Sequence, residues 1–137
     1  MTSDYRYPLS EHEADRLKAA SNRPLNDITF EKAAAGELQP DDLRIHADTL
    51  RAQAEIARAA GHPQLAANLL RAAELTVIPG DELLKIYDLL RPGRASLDTL
   101  HALADRLEQQ YQAAETARFV REAAQVYEAR GLLRRKA

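Results

Sequence analysis

LAANLLRAAELTVIPGDELLKIYDLLRP, residues 65–92, carries two apolar stripes at helical spacing. Ala66, Leu69, Leu70, Ala73 and Val77 form the first, and Leu83, Ile86, Tyr87 and Leu90 the second. Recurrence at i, i+3 and i+4 places each set on one side of a 3.6-residue helix. Between them, Pro79 disfavours the α region at Ile78, Gly80 tolerates a positive φ, and Asp81 can cap the helix that follows. The stretch is therefore read as two helices joined by a tight turn. Two such stripes cover each other only in part, so other helices must supply further walls.

Outward from this stretch the same grammar continues. Ser96 is placed to cap a last helical region whose stripe runs through Leu97, Leu100, Leu103, Ala104, Leu107, Tyr111, Ala114, Ala117, Val120, Ala124 and Tyr127 to Gly131. Periodicity allows either one helix there or two, with a break near Tyr111-Gln112. On the other side, TLRAQAEIARAAG (49–61) is a helix starting at Asp48 or Thr49, with Leu50, Ala54 and Ala57 on its stripe and Ile56 alongside. Thr29 can cap a short helix ending at Gly36, and Pro40 suits a first helical position ahead of Asp41 and Asp42. Ser10 and Glu13 have capping-box spacing, which predicts a peripheral helix to about Ser21. Residues 1–9 have no periodic pattern and read as an arm. The LLRRKA tail reads as a solvated end.

Composition agrees with helices throughout. There are two Phe, five Tyr and no Trp, and alanine is abundant. Gly36, Gly61, Gly80, Gly93 and Gly131 each follow a helix-like run, where glycine ends helices. The expected fold class is all-α: an irregular multi-helix bundle with an extended N-terminal arm (1–9) and one helical domain over 10–137.

Several function classes are disfavoured. The chain has no cysteine, which removes disulfides, thiolate metal sites and cysteine nucleophiles and fits a reducing compartment. Its 19 basic and 21 acidic residues intermix to a net charge of −2, so no nucleic-acid partner is expected. No apolar run approaches the roughly 20 residues that span a bilayer, and MTSDYRYPLSEHE lacks the apolar core of a signal peptide. His12, His46, His62 and His101 lie in different predicted elements without ligand spacing, so no metal site is expected. Glu115 and Glu122 share a helix face, but Arg118 and Arg121 beside them make ion pairing the better reading. Arg71 and Glu74 read likewise. No catalytic or cofactor-binding residue is assigned. The long apolar stripes, poorly matched by short polar helices at 10–21 and 29–35, point instead to a protein partner.

Particular words of the chain resemble a known family. YPLS (7–10), LNDITFEKAAAGELQPDDLRI (25–45), TLRAQAEIARAAG (49–61), RAAELTVIPGDELLKIYDLLRP (71–92) and ARFVREAAQVYEARGLL (117–133) are similar to the small subunit of the adenosylcobalamin-dependent diol and glycerol dehydratases. The resemblance covers nearly the whole chain. It implies a complex of large, medium and small subunits, two copies of each, converting a 1,2-diol to an aldehyde and water. In that family the large subunit is a barrel holding the diol, and adenosylcobalamin lies between large and medium subunits. The barrel fold takes about 250 residues, more than this chain has. Its role would be to stabilise the large subunit without catalysing anything. As amphipathic anchors of a type enriched in interfaces, Tyr5, Tyr7, Pro8, Leu9, Tyr111, Phe119 and Tyr127 are the candidate partner contacts. Some members carry a longer Ala- and Ser-rich N-terminal tail linked to packaging in a microcompartment. Only nine residues precede Ser10 here, so a cytoplasmic location is expected. The competing reading is a free-standing helical adaptor or regulator.

Overall fold

The structure, a computed structural model, describes residues 2–135. Seven α-helices and three 3-10 turns make up its regular structure, and β pairing among the described residues is limited to two isolated bridges. The all-α class follows. Contacts divide the chain into two units, residues up to 76 and residues from 77 onward.

The first unit is built on a helical hairpin, α3 (Ala47–Ala59) and α4 (Pro63–Leu75). Its turn is ordered by Gly61 at φ +84°, and the His62 amide donates to the Ala57 carbonyl at 2.8 Å. Pro63 opens α4 where its missing N–H costs nothing. The interface is made of small residues: Ala54, Ala57 and Ala66 are buried together, with Leu69 and Leu70 packed beside them. Small side chains let the two backbones approach closely, which is how an alanine-rich pair packs tightly. The predicted start of α3, Asp48 or Thr49, is one or two residues late, because His46 caps it, accepting the Asp48 amide at Nδ1. Val77, placed on the α4 stripe by spacing, lies beyond the end of the helix and is exposed.

Residues 10–21 do not form the expected helix. α1 covers only Leu9–His12, a 3-10 turn follows at Ala14–Arg16, and the chain then extends so that Lys18 bridges Pro24 and Ala19 bridges Ile45. Pro8, not Ser10, stands at the cap, and the Glu13 carboxylate accepts from the Arg6 amide (3.0 Å) and Arg16 (3.0 Å). The reason is physical. A helix with only Leu17 and alanines to bury gains little from packing, and short helices are marginal by themselves. Asn22 takes φ +68° to reverse the chain, a conformation asparagine tolerates. Thr29 caps α2 (Phe30–Ala34) as predicted, accepting the Lys32 amide, and Pro40 opens a 3-10 turn to Leu43.

In the second unit, α5 (Gly80–Leu89) precedes α6 (Leu97–Tyr111) and α7 (Ala114–Arg130), which pack as a hairpin. Gly80 is the first residue of α5, so it starts a helix instead of ending one, and Pro79 takes the cap position assigned to Asp81. Ser96 caps α6 as expected, accepting the Thr99 amide at 3.2 Å. The last helical region is two helices. Gln112, at φ +55°, breaks it, and the Ala113 amide reaches back to the Leu107 carbonyl. Leu100, Leu103, Ala104 and Leu107 on α6, with Ala117, Val120 and Ala124 on α7, are buried, whereas Ala114 at the start of α7 is exposed. Arg121 crosses from α7 to Asp105 (2.8 Å) and Glu108 (2.6 Å), which pull its pKa further up. Backbone bonds hold residues 132–134 of the tail: Gly93 N–H donates to the Leu132 carbonyl and Arg134 N–H to the Ala95 carbonyl, while Arg134 and Arg135 stay exposed. Lys136 and Ala137 of the predicted tail lie outside the described residues.

Candidate partner interface

The seven anchor residues occupy unlike settings. Leu9 is buried with Leu17 and Ala52, and Tyr5 packs against the same cluster while the Arg16 guanidinium lies 4.2 Å from its ring centre. The arm is fastened to α3 of its own unit, since Ser3 Oγ (3.0 Å) and the Asp4 amide (2.6 Å) both donate to Glu55. Pro8 is half-buried, and Tyr7 beside it is 75 % exposed. In the second unit Tyr111 and Tyr127 are half-buried, and the Tyr127 hydroxyl donates to the Leu90 carbonyl at 2.5 Å. Phe119 points outward at 47 % exposure. Of the seven, Tyr7 and Phe119 present the most surface.

Other outward apolar side chains were missed. On α5, Leu84 is 71 % and Tyr87 58 % exposed, while Ile86 between them is buried. Tyr87 had been assigned inward by its i+4 relation to Leu83. The signal was available: adjacent leucines at 83–84 and 89–90 spread apolar residues wider than one stripe, so some must face out. Phe30, the first residue of α2, is also exposed, and at 82 % it is the most open large apolar side chain described. Spacing offers no hint of that, because a five-residue helix has too few turns to define a face.

Before α3 the polar side chains hold loops. Asp42, 4 % exposed, accepts from Ser21 Oγ (2.5 Å) and the Gln39 amide (2.8 Å) and faces Arg23 Nε at 3.1 Å. The Gln39 amide first, then the Ser21 hydroxyl, keep its carboxyl below the usual carboxylate range. Lys32 does the same for Asp27, and the Arg6 amide with Arg16 for Glu13. Arg118 pairs with Glu115, as the spacing on α7 suggested. Among the described residues no three His, Asp or Glu side chains converge as metal ligands. No helix among them is long and apolar enough to cross a membrane. The arrangement supplies surfaces and ties; His46 and Asp48 line one recess, with Nδ1 3.6 Å from the carboxylate.

Comparison with known proteins adds the missing frame. Residues 2–134 match the family described as "Dehydratase small subunit". The chain is 49 % identical over 121 residues to the propanediol dehydratase small subunit of Citrobacter freundii, covering 88 % of this chain and 70 % of that protein. It is 47 % identical over the same length and coverage to the propanediol dehydratase small subunit of Salmonella typhimurium strain LT2.

Proposed function

The chain belongs to the dehydratase small-subunit family, and from that premise we propose that it is the non-catalytic small subunit of a propanediol or glycerol dehydratase. Membership in a family of small subunits implies partner subunits. The finer reading is a complex with large and medium subunits, two copies of each, working in the cytoplasm to turn a 1,2-diol into an aldehyde and water. The observation that carries this reading is the match over 2–134, with relatives bearing the propanediol dehydratase name.

Adenosylcobalamin would supply the radical chemistry of such a reaction. Hollows of about 340, 380 and 510 Å3 on this chain are open, and among the described residues no cluster of ligating side chains is found. The reading gives the coenzyme to the other subunits, as the family resemblance implies, and has this chain's own residues act by packing. Tyr7, Leu84, Tyr87 and Phe119 offer exposed apolar area of the kind that an assembled subunit covers. Tyr5, Pro8, Leu9, Tyr111 and Tyr127 are more buried, each within its own unit, and offer less area.

Co-expression tests the reading. Large and medium subunits are produced with and without this chain, and diol-dependent aldehyde formation is measured with added coenzyme. Stable, active complex should require the chain, and the chain alone should turn over no diol. Full activity in its absence overturns the proposal.

A further inference from the structure

Residues up to 76 surround a recess of about 340 Å3 to which the reading above gives no role. Leu17 and Ala52, both buried, give it apolar wall, and Lys18, His46, Asp48 and Arg51 give it polar wall. Donors outnumber acceptors around it. Asp48 is engaged by Arg51 at 2.8 Å, a contact that uses one of the five N–H groups of the guanidinium. His46 accepts the Asp48 amide at Nδ1, which leaves Nε2 to carry the ring proton and donate it. Lys18 has no ion-pairing carboxylate among the described residues. Arg16, also at the wall, is already committed to Glu13, the Asp4 carbonyl and the Tyr5 ring. The recess is thus cationic within a chain of net charge −2.

We propose that this recess receives a carboxylate side chain from a partner dehydratase subunit, gripped by Lys18 and Arg51. The inference rests on the small-subunit reading above. Its chemistry favours a protein carboxylate over a free anion such as phosphate. The methylene stem of Asp or Glu can lie on Leu17 and Ala52 while the head meets the donors, whereas a free oxyanion would press oxygen against apolar wall.

The test uses the full chain assembling with its partner subunits, with affinity measured at low and moderate salt. Lys18→Glu should weaken assembly about tenfold or more, and Lys18→Gln less, both with a flatter salt dependence than the parent. Lys18→Arg should stay close to the parent. Arg58→Glu, on the same first unit but outside the recess, should leave affinity unchanged. Circular dichroism melts check that every variant folds, which is expected because both side chains are exposed. Parental affinity in Lys18→Glu and Lys18→Gln overturns the inference, as does equal damage from Arg58→Glu. Inorganic phosphate that binds the chain alone and leaves assembly undisturbed also overturns it. Failure of the parent chain to assemble at all overturns the small-subunit reading itself, a separate outcome from parental behaviour in the Lys18 variants.

Discussion

From residue 77 onward the fully buried side chains include Leu100, Leu107 and Val120, carried on helices of 15 and 17 residues. Up to residue 76 the most buried side chains are alanines, Ala66, Ala73, Ala52 and Ala54, and much of the chain before α3 is 3-10 turn or loop. The first unit compensates with polar ties: Glu55 holds Ser3 and Asp4, Glu13 holds Arg6 and Arg16, and Asp42 holds Ser21 and Gln39. Burial of large side chains is non-directional and insensitive to pH, whereas a carboxylate that accepts several hydrogen bonds is both directional and titratable. Two units of similar length in one chain therefore have different points of failure.

The largest effect should come from the second unit. Leu107→Ala removes a fully buried side chain, and a cost of about 2–5 kcal/mol is expected in urea unfolding. Amide exchange should accelerate along α6 and α7. A loss well below that range would mean the hairpin does not depend on its leucines, and the contrast would collapse.

Next is acid. Asp42, Asp27 and Glu13 have folded-state pKa values below their unfolded ones. Their contribution is complete above the unfolded value of about 4 and is lost as pH falls through the lowered folded values. The thermal midpoint should be level from neutral pH to about 5 and fall below about 4. Asp42→Asn should lower the midpoint at neutral pH by about 5 °C and weaken its fall in acid. An unchanged acid limb in that variant removes Asp42 from the account.

A smaller effect, of opposite sign, belongs to Gln112. A non-glycine residue at φ +55° is strained, so Gln112→Gly should stabilise the chain by about 0.5–1 kcal/mol. The smallest should be Leu84→Ser. Its side chain is already in solvent, and stability of the isolated chain should move by no more than about 0.5 kcal/mol. Its effect should appear only in assembly with partner subunits, where retention on a tagged large subunit reads it. Loss of stability without loss of retention would make Leu84 a core residue and not a docking one.

Legibility followed the same division. The α6–α7 stripe and the Ser96 cap were visible in sequence, because long helices repeat their pattern often enough to be read; periodicity left open the break that Gln112 makes at φ +55°. Between residues 9 and 24 the pattern misled. Ser10 and Glu13 have the spacing of a capping box, yet Glu13 is used by Arg6 and Arg16. Sequence placed Asp42 only as favourable to a helix dipole, and its burial depends on Ser21 and Arg23, some twenty positions away. Among the candidate anchors, Tyr7 and Phe119 are the most exposed. Tyr5 and Leu9 are taken up by Leu17 and Ala52, a contact that no local pattern encodes.

By itself the sequence determined the helical class, the positions of the long helices and, through its particular words, the family of small subunits. Each of these is set by local periodicity or by residue identity, and neither requires knowing what lies opposite. Only the tertiary structure decided which carboxylates are buried, how the first unit's loops are tied, which apolar side chains face water, and that Lys18 and Arg51 share a recess. Those outcomes depend on pairs of residues far apart in sequence, and the free energy of such a pair exists only once the chain has brought its members together.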